Sequence, residues 1–161
     1  MRKLISIIMG SQSDLETMKS CVETLKSFKA GYDVRVLSAH RTPKELEQYV
    51  CRAEKNGAKV FIAAAGGAAA LAGVIASHTT KPVIGVPMET RSLKGLDSLL
   101  STVQMPGGIH VACMAIGSAG AKNAALFALA ILAAGDPKIE KRLAAYRKTM
   151  KRQIKGIKIK A

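Results

Sequence analysis

Five short runs dominated by apolar, often β-branched residues recur along the chain: Leu4 to Met9, Asp33 to Leu37, Lys59 to Ala63, Pro82 to Val86 and His110 to Ala115. Their length and composition read as strands. Stretches with helical spacing lie between and after them, near residues 13–28, 43–55, 68–77, 95–103, 119–133 and 137–156. A helix after a strand returns the chain to the end where that strand began, so successive strands pair in parallel and are buried on both faces. The pattern predicts an α/β fold: a flavodoxin-like three-layer α/β/α sandwich with a five-stranded parallel sheet and an extended C-terminal helix. Several helix ends carry their own signals. Ser13 or Asp14 can cap the first helix, Thr42-Pro43 opens the second with proline in its first turn, and Gly135-Asp136-Pro137 ends one helix and launches the last.

With 161 residues, 48% of them hydrophobic, the chain can bury one substantial core and is short for two. Residues 1–161 are expected to form one domain, with 137–161 a C-terminal helix that packs on its own domain or a neighbouring subunit. Cys21, Cys51 and Cys113 are odd in number and widely spaced, which suits a reducing cytoplasm and neither a disulfide framework nor a zinc site. The apolar run after Met1-Arg2-Lys3 is cut short by Gly10-Ser11-Gln12-Ser13-Asp14, so it reads as a strand and not a signal peptide. Val60 to Ala76 is uncharged but mostly Ala and Gly, which argues against a membrane span.

A formal charge of +14 suggests a polyanion partner until it is located. Lys138 to Ala161 holds ten Lys/Arg and one acid, a net +9, leaving +5 for the rest. Within that tail Ile139, Leu143, Tyr146, Met150, Ile154 and Ile157 recur at three- or four-residue steps, an apolar stripe on a helix with a cationic opposite face. A solvated helix docked on its own domain or a neighbour accounts for this, with RNA or membrane binding as the alternative. With no Trp and only scattered Tyr and Phe, base-stacking platforms are missing, and nucleic acid is an unlikely partner.

The chemistry concentrates in loops that follow predicted strands, the edge at which open α/β sheets hold ligands. Ser38-Ala39-His40-Arg41-Thr42-Pro43 sets an imidazole, which exchanges protons near neutral pH, beside a guanidinium that clamps anions. Gly10-Ser11-Gln12-Ser13-Asp14 offers small polar groups at a helix start. They serve either as caps or as partners for a phosphate or a ribose diol. Arg41 pairs either with a ligand phosphate or with Glu45 or Glu47. Ala63 to Ala70 has almost no side-chain bulk, which suits tight packing or the close approach of backbone to a flat ligand. His78 and His110 read as structural. No Asp, Glu, His or Cys cluster has metal-ligand spacing, and no phosphate-loop or dinucleotide fingerprint occurs.

These segments together resemble the PurE family, the N5-carboxyaminoimidazole ribonucleotide mutases of purine synthesis. The likeness runs nearly end to end. It includes Met9 to Asp14, Ser38 to Pro43, Ala65 to Ala69, Pro82 to Pro87, Gly95-Leu96-Asp97-Ser98-Leu99-Leu100-Ser101, Val103 to Pro106, Ala115 to Gly117 and Ala121 to Leu126. The resemblance implies transfer of a carboxyl group from N5 to ring carbon C4 of aminoimidazole ribonucleotide, with no metal or other cofactor. It assigns His40 as the general acid/base. Gly10, Ser11, Ser13, Asp14, Ser38 and Arg41 would hold the ribose phosphate side, and Ala65, Gly66, Gly67, Ala68 and Leu71 the carboxylate and CO2 side. It also implies a cytoplasmic homo-octamer in which the C-terminal helix reaches a neighbour and Gln104-Met105-Pro106 joins an adjoining pocket.

One stretch departs from the family pattern. The mutases usually read Gly-Gly-Ala-Ala-His-Leu-Pro-Gly where this chain has Gly66-Gly67-Ala68-Ala69-Ala70-Leu71-Ala72-Gly73. Ala70 therefore replaces a second histidine, and the related class that carboxylates with CO2 directly commonly has alanine there. Arg41, Pro43 and Gly66 to Ala69 side with the mutases. A direct carboxylase and a non-catalytic nucleotide- or RNA-binding module are the two alternatives at this point.

Overall fold

The computed structural model describes residues 2–157. Its strands are β1 (Ile5–Met9), β2 (Tyr32–Val36), β3 (Val60–Ala65), β4 (Val83–Pro87) and β5 (Ala112–Cys113). Its helices are α1 (Leu15–Ser27), α2 (Pro43–Lys55), α3 (Leu71–Ser77), α4 (Leu96–Val103), α5 (Gly117–Ala133) and α6 (Pro137–Gly156), with a short 3-10 turn at Gln12–Asp14 before α1. All pairings are parallel and the strand order is β2-β1-β3-β4-β5, the flavodoxin-like arrangement. The last four residues of the predicted tail lie outside the described residues.

Alternation along the central strands feeds two cores. Ile5, Ile7 and Met9 of β1 join Val60 and Ile62 of β3 and Ile84 and Val86 of β4 against Met18, Cys21 and Leu25 of α1 and Ala121, Ala124, Ala128 and Leu129 of α5. On the opposite face Ile8, Phe61, Ala63 and Val83 meet Leu46, Tyr49 and Val50 of α2 and Leu71, Ala72 and Ile75 of α3. Each strand position therefore belongs to one layer or the other, which fixes the register. Small residues let α5 lie close to its surroundings. A methyl on Gly120 would run into the Ala115 carbonyl.

Three boundaries differ from the sequence expectation, each for a local reason. The third helix starts at Leu71 and not at residue 68, because Gly67 (φ 68°) and Ala69 (φ 39°) take left-handed backbone that cannot continue into a helix. The fifth strand shrinks to Ala112–Cys113, since it pairs only with Ile84 and Gly85 at the sheet edge, and His110 lies in the loop before it. Capping at the first helix falls to Ser11, whose Oγ accepts the Ser13 N–H at 3.3 Å while Asp14 Oδ2 accepts the Ser11 N–H at 3.0 Å. Asp14 makes no cap bond to α1 itself. Asp136 caps α6 through the Lys138 N–H, and Pro43 occupies the first turn of α2, as the sequence suggests.

The apolar stripe of α6 divides. Ile139, Leu143 and Tyr146 pack against the α1/α5 core, with the Tyr146 and Phe28 rings 5.5 Å apart and Arg142 Nη1 donating to the Phe28 carbonyl at 2.7 Å. Met150, Ile154 and Ile157 remain exposed.

Burial also separates the three thiols. Cys21 sits wholly inside the α1/α5 core, and desolvation pushes its thiol up to about 12, whereas Cys51 is exposed and Cys113 is half-buried with its thiol also raised by burial. Under native conditions a maleimide reagent is expected to label Cys51 first, Cys113 more slowly and Cys21 only on unfolding, as read by peptide mass spectrometry.

Candidate active site

The chain leaves β1 toward β2 on one side and later returns to β3 on the other, so the loops after β1 and β3 diverge and leave a crevice at the carboxyl ends of the strands. A cavity of about 450 Å³ occupies that place. Gly10, Ser11, Ser13 and Asp14 form one wall, and Ser38, Ala39, His40 and Arg41 form the second. Ala65, Gly66, Ala69, Ala70 and Leu71, joined by Met88 and Glu89 from the end of β4, form the third.

Backbone and side-chain bonds hold these walls together. Arg41 Nη2 donates to the Gly10 carbonyl at 2.9 Å, tying the loop after β2 to the loop after β1. The Arg41 N–H donates to Ser38 Oγ at 3.2 Å. Thr42 Oγ1 accepts the Ser38 N–H at 2.9 Å and donates to the Ser38 carbonyl at 3.1 Å, so the six residues from Ser38 to Pro43 form a compact turn that presents His40 outward. Arg41 makes no ion pair with Glu45 or Glu47; its guanidinium lies toward Asp14. His40 and Arg41 are both exposed at the rim.

A larger hollow, about 660 Å³, runs beside β2 and α2. Its one buried-side acid, Asp33, is already taken up by neighbouring donors. Asp33 takes Lys3 Nζ at 3.0 Å, Arg35 Nε at 3.3 Å and the Tyr49 hydroxyl at 3.2 Å. The smaller crevice, with converging loops and free donors, is the better ligand site.

Comparison with known proteins identifies the family. The family model described as AIR carboxylase matches residues 4–153. The chain is 52% identical over 153 residues to the N5-carboxyaminoimidazole ribonucleotide mutase of Pyrococcus horikoshii, covering 95% of this chain and 85% of that protein. The mutase of Bacillus subtilis is 49% identical over 154 residues, covering 96% and 95%. Among solved structures, Treponema denticola PurE superposes with a TM-score of 0.86 at 30% identity, covering 95% of this chain and 94% of that one. The chain belongs to the AIR carboxylase family.

The crevice gathers Gly10, Ser11, Ser13, Asp14, Ser38, His40, Arg41, Ala65, Gly66 and Leu71 of the residues singled out in the sequence. Gly67 and Ala68 are not among its lining residues; the Gly67 N–H is turned away to Ser98 Oγ. Met88 and Glu89 line the crevice but were not singled out in the sequence. Their signal was positional, since they follow β4 at the same sheet edge. No group of three or more His, Cys, Asp or Glu side chains among the described residues is arranged to hold a metal ion. Among the described residues no helix is long and apolar enough to cross a membrane.

Electrostatics distinguish Asp14. Burial raises its carboxyl above the ordinary 3.8, and the Ser11 N–H, Ser13 and the Arg41 charge offset part of that rise. A carboxyl that binds its proton more tightly in the fold than in the unfolded chain stabilises the fold at low pH. That contribution is lost as pH climbs from the ordinary value through the raised one. Asp14→Asn is therefore expected to flatten this acid limb in a series of thermal melts against pH. A limb unchanged in the variant would show that Asp14 is not its source.

Proposed function

We propose that the chain is an N5-carboxyaminoimidazole ribonucleotide mutase. It moves the carboxylate from N5 to C4 and yields 4-carboxy-5-aminoimidazole ribonucleotide for purine synthesis. The observation that carries this reading is the convergence of His40 and Arg41 with the Ser11-Ser13-Asp14 wall and the side-chain-poor Ala65–Leu71 loop around one crevice. The near-50% identity to mutases of that name supports it.

The residues divide the work by chemistry. Asp14 accepts from the ribose hydroxyls, while Ser11, Ser13 and Arg41 donate to the phosphate, Arg41 already being oriented by its bond to Gly10. Gly10 and Ser38 hold these groups in place. Ala65, Gly66 and Leu71 line the side that receives the carboxyl group, and Gly67 and Ala68 complete that loop from behind.

One imidazole closes the proton balance. The N5–carboxyl bond breaks as protonated His40 gives its proton to N5, releasing CO2 beside the aminoimidazole. Carbon C4 then attacks CO2, and neutral His40 removes the proton that C4 carried. No redox change occurs and nothing else is consumed, so the chain's own residues suffice without a cofactor. Retaining CO2 between the two steps makes recombination intramolecular in effect.

Enclosure of that gas needs more than one chain provides, since His40 is exposed at the rim. A cytoplasmic homo-octamer accounts for it, with Gln104-Met105-Pro106 of one subunit closing a neighbour's crevice and the distal part of α6 packing across. The exposed Leu93, Leu96, Leu100 and Val103 around α4, and Met150 and Ile154 on α6, are the surfaces such an assembly would bury.

His40→Asn is expected to lower kcat by about 10²- to 10⁴-fold while aminoimidazole ribonucleotide still binds; near-normal turnover in the variant would contradict the assigned role. Labelled dissolved CO2 separates the mutase from a direct carboxylase. The mutase retains the original carboxyl group through turnover, whereas obligatory exchange with the label would favour the carboxylase that Ala70 brings to mind.

A further inference from the structure

The segment Gly95 to Ser101 is a signature of the sequence, yet none of its residues lines the crevice. Its side chains act one layer behind. Ser98 is completely buried, and its Oγ accepts the Gly67 N–H at 3.0 Å. One turn along α4, Ser101 Oγ donates to the Gly67 carbonyl at 3.3 Å. The N–H belongs to the peptide plane before the Gly67 α-carbon and the carbonyl to the plane after it. Holding both planes fixes the two dihedrals of that residue, whose φ of 68° few side chains tolerate.

From Gly67 the constraint passes directly into the crevice wall. The Ala69 N–H donates to the Gly66 carbonyl at 3.3 Å, closing a turn in which Ala69 also has a positive φ of 39°. Gly66, Ala69, Ala70 and Leu71 then face the cavity. Behind the serines, α4 is itself anchored. Thr102 Oγ1 donates to the Ser98 carbonyl at 2.7 Å, and Thr90 Oγ1 accepts the Gly95 N–H at 3.2 Å while donating to Asp97 Oδ1 at 2.7 Å. Thr90 directly follows Met88 and Glu89 of the same crevice. Helix α4 thus ties the loop after β3 to the loop after β4.

We infer that Ser98 and Ser101 are positioning residues for carboxyl transfer: their paired bonds to Gly67 set the Gly66–Leu71 loop so that it holds the migrating carboxyl group against C4. This rests on the mutase reading. The ribose phosphate wall is built by other loops, so loss of the serines affects ligands according to whether they carry the carboxyl group. The two sites differ in severity. Removing the hydroxyl of fully buried Ser98 leaves the part-buried Gly67 N–H without its partner, whereas the Gly67 carbonyl beside exposed Ser101 can turn to solvent.

The test compares the full-length chain with Ser98→Ala, Ser101→Ala and Ser101→Thr. The measurements are kcat and KM for N5-carboxyaminoimidazole ribonucleotide, and dissociation constants for aminoimidazole ribonucleotide and for its 4-carboxy product. Ser98→Ala is expected to lower kcat about tenfold and to weaken the carboxylated product by a similar factor, with uncarboxylated ligand binding unchanged. Ser101→Ala is expected to act in the same sense by about threefold, and Ser101→Thr, which keeps the hydroxyl, to recover. Turnover by Ser101→Ala equal to the original would overturn the inference, as would equal weakening of both ligands. Should Ser98→Ala fail to fold, the exposed Ser101 pair decides alone. An original chain that does not interconvert the ribonucleotides at all would instead sink the mutase reading and this inference with it.

Discussion

Parallel pairing of β1 with both β2 and β3 is the constraint from which the rest follows. Because every strand points the same way, each loop that leaves a carboxyl end arrives at one edge of the sheet. Because the strand order reverses beside β1, those loops part and leave room between them. The hydrophobic alternation that buries Ile5, Ile7 and Met9 on one face and Ile8 on the other locks this arrangement, since a slip of one residue would exchange the two faces. Chemistry is located by packing. His40 and Ser11 are brought together by side chains that never touch a ligand.

A second layer of order comes from satisfying polar groups. Ser6 is buried in β1, yet its hydroxyl is paired with the Tyr49 hydroxyl at 2.8 Å, and Tyr49 in turn donates to Asp33, which is neutralised by Lys3 and Arg35. No buried side-chain nitrogen or oxygen among the described residues lacks a partner. The loops follow the same rule. Ser11 and Asp14 cap each other's backbone, Thr42 returns to Ser38, and Arg41 reaches Gly10. An unpaired group at any of these places would cost more than the bond itself contributes, so the loops have few alternative shapes.

Much of this was legible in the residues because the signals were local. Strand runs at Leu4–Met9 and Pro82–Val86, proline at position 43 and the Gly135-Asp136-Pro137 break each act through their own backbone, and the observed elements follow them closely. The Ser38–Pro43 and Gly10–Asp14 segments could be placed at the ligand edge because that edge is defined by chain direction alone. Long-range contacts were not legible. The left-handed turn at Gly67 and Ala69 that delays α3 depends on α4, and nothing in the small-residue run from Ala63 to Ala70 reveals where its amides point. Met88 and Glu89 carry no motif of their own, so only their place after β4 marks them. The first helix cap went to Ser11 because the 3-10 turn inserts before α1, a shift of a few residues that capping preferences cannot resolve.

The walls of the crevice come from Gly10 at one extreme of the chain order and Glu89 at the other, with three complete crossovers between. A polypeptide emerging from the ribosome therefore owns the two walls built after β1 and β2 well before the strand that carries the third has been made. A fragment ending before β3 lacks the Ala65–Leu71 wall and one ending before β4 still lacks Met88 and Glu89, so the crevice is whole only once β4 and the loop after it have been made.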